Sequence, residues 1–284
     1  MKACSAYFAI VLFVFSFTGL FSVTAHAKDS LVLAVHPFLS PDQVQKKFAP
    51  LAQYLSQQTG FAVKVRVGSS YKEHIEYIGT DKVDIAYMGP ASFVSLLNSY
   101  GAKPILAKLE VKGRAYFFGN IITRKDSGLK TLADLKDKKI AFGNPNSTMS
   151  YIVPHHMLHQ ANVFTGNSVK HDFLQSHDNV ALGVLSGDFD AGAVKPAVFE
   201  KFKAQGLATI ALTPKISEHI FVTRNNLPTE TIDALRQAML MINQSNNGVL
   251  AMHAIKKSIT GLVGAKSSDY DNLRKVIFES KTLH

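Results

Sequence analysis

Ser147 and Thr148 put two adjacent hydroxyls into NSTMS, between the short apolar run KIAFG (139–143) and a stretch of helical periodicity from Ser150 to Gln160. The first four N–H groups of a helix have no intrahelical acceptor and carry the positive end of the helix dipole, so hydroxyls placed there can complete a binding site for an oxyanion. A helix cap accounts for one of the two hydroxyls, with a contribution of about 1 kcal/mol, and leaves the other free. The same arrangement recurs. Ser69, Ser70 and Tyr71 open a helical stretch in SSYKEHIEYI, Gly89 to Ser92 open one in YMGPASF, and Ser176, His177 and Asp178 open one in LQSHDNVALGVL. Four helix starts carrying mainly donors suit one tetrahedral anion.

Other constellations carry less. His155 and His159 of HHMLH stand one helical turn apart, yet a zinc peptidase would need Glu where His156 stands and no third ligand is indicated. A partly exposed helix face is the expectation there, and no metal. GVLSG (183–187) has the spacing of a nucleophile elbow, but Ser186 ends a helix with Gly187 as its cap rather than joining a strand to a helix, so no catalytic residue is assigned. His36 follows the first strand; lining a cleft and being a loop histidine beside Pro37 both remain open.

These residues need rigid supports, and the hydrophobic periodicity supplies them. Extended runs are expected at 31–35, 62–67, 83–88, 104–109, 116–124, 139–143, 191–194, 208–213 and 219–224. Helices are expected at 41–58, 71–78, 90–100, 150–160, 177–185, 196–205, 229–243, 248–255 and 268–279. Strand–helix alternation with short connections implies parallel sheets covered on both faces. The chain is large for one hydrophobic core, so two lobes are expected. One would comprise residues 28–115 and 219–284, the other 116–218, with the chain crossing near 113–119 and 214–220. Such an α/β architecture binds ligands in the crevice at strand C-terminal ends.

The N-terminus reads as a secretory leader over residues 1–27: Lys2, an apolar run from Tyr7 to Val23 and a small-x-small end at Ala25-His26-Ala27, with cleavage near Ala27. Polar interruptions at Ser16, Thr18, Gly19 and Ser22 speak against a membrane anchor. Cys4 is the only cysteine and lies in the leader, so the exported chain would hold no disulfide and no thiolate site. The formal charge of +10 favours anionic partners, but the basic residues are spread along the chain, and with the export signal this excludes nucleic acid as the expected partner.

Four segments, LVLAVHPFLSPDQVQKKFAPLAQYLSQQTG, KVDIAYMGPASFV, TLADLKDKKIAFGNPNSTMSYIVP and SHDNVALGVLSGDFDAGAV, resemble in order the phosphate/phosphite/phosphonate-binding family of periplasmic solute-binding proteins that serve ABC importers. The resemblance implies a two-lobed type II periplasmic binding protein fold that clamps an oxyanion in a cleft between lobes, without catalysis and without a cofactor. It carries the anion contacts to Tyr71, Ser147, Thr148 and His177, with Tyr87 as a further first-lobe contact. Met149 stands where the family usually has a third small polar residue, and offers only its backbone N–H. Phe93 stands where a Tyr is frequent and would make that wall apolar. Lys195 follows the strand AGAV where many relatives hold an acidic or amide residue; facing the cleft and facing solvent are both open for it.

The implied function is capture of a small phosphorus oxyanion (phosphate, phosphite or phosphonate) in the periplasm by lobe closure. Delivery to a membrane ABC permease would follow, by a protein expected to be monomeric. A ligand-reporting partner of a membrane sensor and an exported metal-dependent hydrolase are the alternatives. A compact anion, or one with a small apolar substituent, is expected to bind better than an aminoalkyl phosphonate, and His177 is expected to take up a proton when a dianion binds.

Overall fold

A computed structural model describes residues 30–164 and 170–282, so the leader expected at 1–27 lies outside the described residues. The first sheet is built by β1 (Ser30–Val35), β2 (Ala62–Val67), β3 (Ile85–Met88), β4 (Ile105–Val111), β12 (Ile220–Thr223) and β13 (Ile259–Val263), in the order β13-β4-β12-β3-β1-β2. The second holds β6 (Asn120–Arg124), β7 (Ile140–Phe142), β8 (His171–Phe173), β9 (Ala191–Val194) and β10 (Leu207–Leu212), in the order β10-β6-β9-β7-β8. A two-stranded ladder of β5 (Tyr116–Phe117) and β11 (Ile216–Ser217) marks where the chain passes between them.

Strand alternation decides which helices cover which face. In β1, Leu33 and Val35 face one core while Ala34 faces the other, and in β3 Ile85 and Tyr87 are separated in the same way from Ala86 and Met88. The first core is closed by α1 (Pro41–Thr59), α7 (Thr229–Leu240) and α8 (Asn246–Ile255). The second is closed by α2 (Tyr71–Gly79), α3 (Pro90–Tyr100) and α9 (Asp271–Thr282). The other sheet repeats the plan, with α5 (His177–Ser186) and α6 (Pro196–Phe202) on one face and α4 (Val153–Gln160) on the other. Each lobe is therefore a three-layer sandwich.

The sheets are not wholly parallel, contrary to the expectation from strand–helix alternation. β12 runs antiparallel to both β3 and β4, β13 is antiparallel to β4, and β6 is antiparallel to β9 and β10. Connectivity explains this: β4 leaves the first sheet for the second and β12 returns, so neighbouring outgoing and returning strands must run in opposite directions. The expected single strand 116–124 is likewise broken, because the ladder residues 116–117 and β6 flank Gly119, which lies at the crossing. A Cβ on Gly119 would stand 3.2 Å from both the carbonyl oxygen and Sδ of Met149.

Candidate functional site: the crevice between the two sheets

NSTMS divides its labour. Ser147 is the cap, its Oγ accepting the Ser150 N–H at 3.2 Å, and the chain then makes a π-helical turn over Thr148–Ile152 before α4 begins. Thr148 is buried, and its Oγ1 accepts the N–H of Ala91 at 3.1 Å. That bond joins the second lobe to the opening turn of α3 in the first, leaving the hydroxyl proton for another acceptor. The Met149 side chain is 2% exposed and joins a core with Phe93, Met88 and Ile220, and its sulfur accepts a bond from Thr213 Oγ1 at 3.4 Å. Ser150, expected only as a helix start, is fully buried. Its Oγ donates to the Ala193 carbonyl at 2.7 Å and accepts the Gly143 N–H at 2.8 Å, riveting β7 to β9.

At α2, Ser70 caps by accepting the Glu73 N–H at 3.1 Å, and Ser69 is tied to Glu73 through its N–H and hydroxyl at 2.5 and 2.6 Å. Ser69 thus spends both its donors on Glu73, whereas the Ser70 hydroxyl accepts a bond and retains its proton. Tyr71, the first residue of α2, stands with its ring 5.2 Å from that of His36, and burial pushes its phenol up to about 12. Tyr87 is buried, stacked 5.5 Å from His36 and tilted at 4.9 Å against Phe48. Phe93 forms no wall of the crevice. It is wholly buried against Tyr270, with centroids 4.8 Å apart, because the outward-facing positions of α3 are covered by α9.

His36 is buried rather than a solvent-facing loop residue. Its Nδ1 lies 3.2 Å from the Tyr87 carbonyl, and His74 Nε2 lies 3.1 Å from the same oxygen. A carbonyl can only accept, so both nitrogens carry protons and both rings are neutral donors. Burial, then the charges of His74, His219 and Lys195, keep the His36 pKa well below the ordinary value, and burial holds His74 at about 4.

In the second lobe Ser176 caps α5 by accepting the Asn179 N–H at 3.1 Å, which sets His177 at the first helical position. The Lys195 N–H donates to His177 Nδ1 at 3.1 Å. That bond fixes the tautomer with the proton on Nε2, so His177 is a neutral donor. Burial, with the nearby charge of Lys195, depresses its pKa to about 3. This bond speaks against the expected proton uptake at His177, because protonating Nδ1 would break the bond that orients the ring. Lys195 itself is lowered by burial and by the like charges of Lys256 and Lys47, against the attraction of Asp178. Its ammonium makes no hydrogen bond or salt bridge among the described residues.

Reading from sequence missed Glu218 and His219. Glu218 is 3% exposed, and its Oε2 accepts the backbone N–H and Nδ1–H of His219 at 3.1 and 3.0 Å. Burial pushes this carboxyl up, but the bonds and charge from His219, with Lys256, outweigh it and hold it below its ordinary value. The only local signal was an acid beside a histidine at a strand start, which carries no recognisable spacing. The HHMLH helix also differs from expectation. His155 and His156 are buried, His155 stacked 4.8 Å from Phe164 and His156 with Nε2 3.4 Å from Glu279.

The crevice thus gathers His36, Tyr71 and His219 from one lobe and Thr148, His177 and Lys195 from the other.

Residues 33–270 match the family model described as ABC transporter, phosphonate, periplasmic substrate-binding protein. The phosphate-import protein PhnD of Mycolicibacterium smegmatis is 26% identical over 273 residues, covering 87% of this chain and 85% of that protein. The probable ABC transporter phosphite binding protein PhnD1 of Prochlorococcus marinus is 26% identical, covering 95% of this chain and 97% of that protein. The structure of PhnD1 from P. marinus in complex with methylphosphonate superposes with a TM-score of 0.77 at 22% identity, over 89% of this chain and 98% of that one.

Proposed function

The chain belongs to the phosphonate-binding family of periplasmic substrate-binding proteins of ABC transporters, and from that premise we propose that its crevice captures a small phosphorus oxyanion for delivery to a membrane permease. One observation carries the ligand class. Lys195 holds a half-buried ammonium with no salt bridge among the described residues, on the residue whose backbone N–H orients the His177 ring. A partly desolvated cation without a bonded counter-ion is costly, and an anion entering the crevice relieves that cost.

In this reading residues 28–115 and 219–284 form one lobe and 116–218 the other, consistent with sheet membership. Closure brings Thr148 to the start of α3, where its hydroxyl proton and the first amides meet the ligand. Tyr71 and His36 line the first-lobe side. The protein binds and releases without catalysis, works as a monomer, and is exported by removal of residues 1–27.

The test is a calorimetric screen of phosphate, phosphite, methylphosphonate, aminoethylphosphonate and sulfate against the exported form. Submicromolar binding of a phosphorus oxyanion is the expected result; tight binding of none of them sinks the reading.

A further inference from the structure

We propose that Glu218 and His219 form a charge-reading pair: His219 contacts the bound anion through Nε2, Glu218 positions it, and the pair selects dianionic phosphorus oxyanions over monoanionic sulfonates of the same shape. The inference rests on the oxyanion-binding reading above.

Glu218 cannot touch an anion profitably, yet it is built immovably into the hinge. Its N–H donates to the Ala115 carbonyl at 3.0 Å and its own carbonyl accepts the Tyr270 hydroxyl at 2.6 Å. Its carboxylate accepts two bonds from His219, which places the imidazole proton on Nδ1 and turns Nε2 outward. Nε2 lies 3.8 Å from the point a Cβ on Gly89 would occupy, at the opening of α3, the helix end that Thr148 also reaches. The ring is held flat, stacked on Tyr87 at 5.3 Å and 12° and on His36 at 6.0 Å and 15°, with Phe117 tilted at 5.6 Å. The His219 side chain is 27% exposed while that of Glu218 is 4% exposed, so the carboxylate is sealed and the ring tip is accessible.

A neutral His219 presents a lone pair at Nε2 and repels an anion. A protonated one presents a charged donor, and Glu218 balances it from behind. The other groups facing the ring supply no acid: Tyr87 packs against it, His36 donates to the Tyr87 carbonyl, and His177 across the crevice is held neutral by the Lys195 N–H. Lys256 acts on the pair through Glu218. A dianion stabilises the protonated pair more than a monoanion does, because the attraction scales with ligand charge.

Methylphosphonate and methanesulfonate share a shape and differ in charge, so their affinities near neutral pH provide the test. His219→Gln, folded by thermal unfolding, is expected to weaken methylphosphonate about 10- to 100-fold and methanesulfonate distinctly less, about 3- to 10-fold, as the smaller ligand charge requires. Glu218→Gln should move the ratio in the same direction; if it does not fold, His219→Gln decides alone. Equal losses for both anions, or no loss for either, overturn this inference and leave the parent reading intact. Wild-type protein that binds neither anion nor phosphate overturns both.

Discussion

Thr148 Oγ1 accepts the Ala91 N–H and retains its proton for a ligand, so Thr148→Val removes a lobe-to-lobe bond and a ligand donor together. Anion affinity should fall about 10- to 100-fold, and stability by about 1 kcal/mol, in paired calorimetric and denaturant titrations. Unchanged affinity in a folded variant would reduce the hydroxyl to a structural tie. At His177 the outcome differs from the one the sequence implied. Because its Nδ1 is an acceptor for the Lys195 N–H, His177→Asn should leave the number of protons taken up on phosphate binding unchanged, although it weakens binding. Calorimetry in buffers of different ionisation enthalpy reads this directly, and a loss of proton uptake in the variant would restore the ring as a proton acceptor. Lys195→Met should lower methylphosphonate affinity about 10-fold or more and narrow its advantage over aminoethylphosphonate, whose ammonium the wild-type lysine repels. An aminoethylphosphonate preference in the wild type would contradict this charge placement.

At the scale of elements, the π-helical turn after Ser147 is held by Ser150, whose hydroxyl joins the end of β7 to β9. Ser150→Ala removes the bridge between the Gly143 N–H, which keeps its 3.3 Å bond to the Ser150 main-chain carbonyl, and the Ala193 carbonyl, and is expected to cost about 1–2 kcal/mol in chemical denaturation. Gly143→Ala should be comparably harmful, since its Cβ would stand 2.6 Å from Ser150 Oγ. A Ser150→Ala protein as stable as wild type would mean that the hydroxyl bridge contributes nothing to holding β7 against β9. The helix starts show the same division: Ser70, Ser147 and Ser176 each cap their own helix, and the residues that follow them, Tyr71, Thr148 and His177, are the ones proposed to meet the ligand.

For the whole molecule, three buried neutral histidines set the acid limit. His36 and His74 donate to one carbonyl, His177 accepts from a backbone amide, and all three have pKa values depressed below the ordinary 6.5, to about 4 for His74 and about 3 for His177. Above pH 6.5 both folded and unfolded chains hold these rings neutral and they contribute nothing to pH dependence. Below it the unfolded chain binds protons that the folded chain refuses, so stability falls as pH drops from 6.5 toward the folded values. Each ring contributes a slope of up to about 1.4 kcal/mol per pH unit. Denaturant titrations between neutral pH and about pH 4.5 should show the loss, with His74→Gln flattening it. A stability independent of pH over that window would show that the rings charge without unfolding.

The amino-acid sequence by itself determined the alternation of strands and helices, the helix starts and the oxyanion chemistry, because periodicity, capping residues and donors act over a few neighbouring positions. From those local patterns Ser147, Thr148 and His177 were already legible as candidates, while Lys195 entered only through the family resemblance. Tertiary structure alone decided what each does: which serine is a cap and which a rivet, that Phe93 and Met149 belong to packing, and that β12 enters the first sheet antiparallel. It also brought Glu218 and His219 to the opening of α3. The tautomer of His177 depends on an amide eighteen positions away, and the ring stack of His219 on His36, just after β1, and Tyr87 of β3. Hydrogen bonds between distant segments leave no period in the sequence, so only the folded chain could assign those protons.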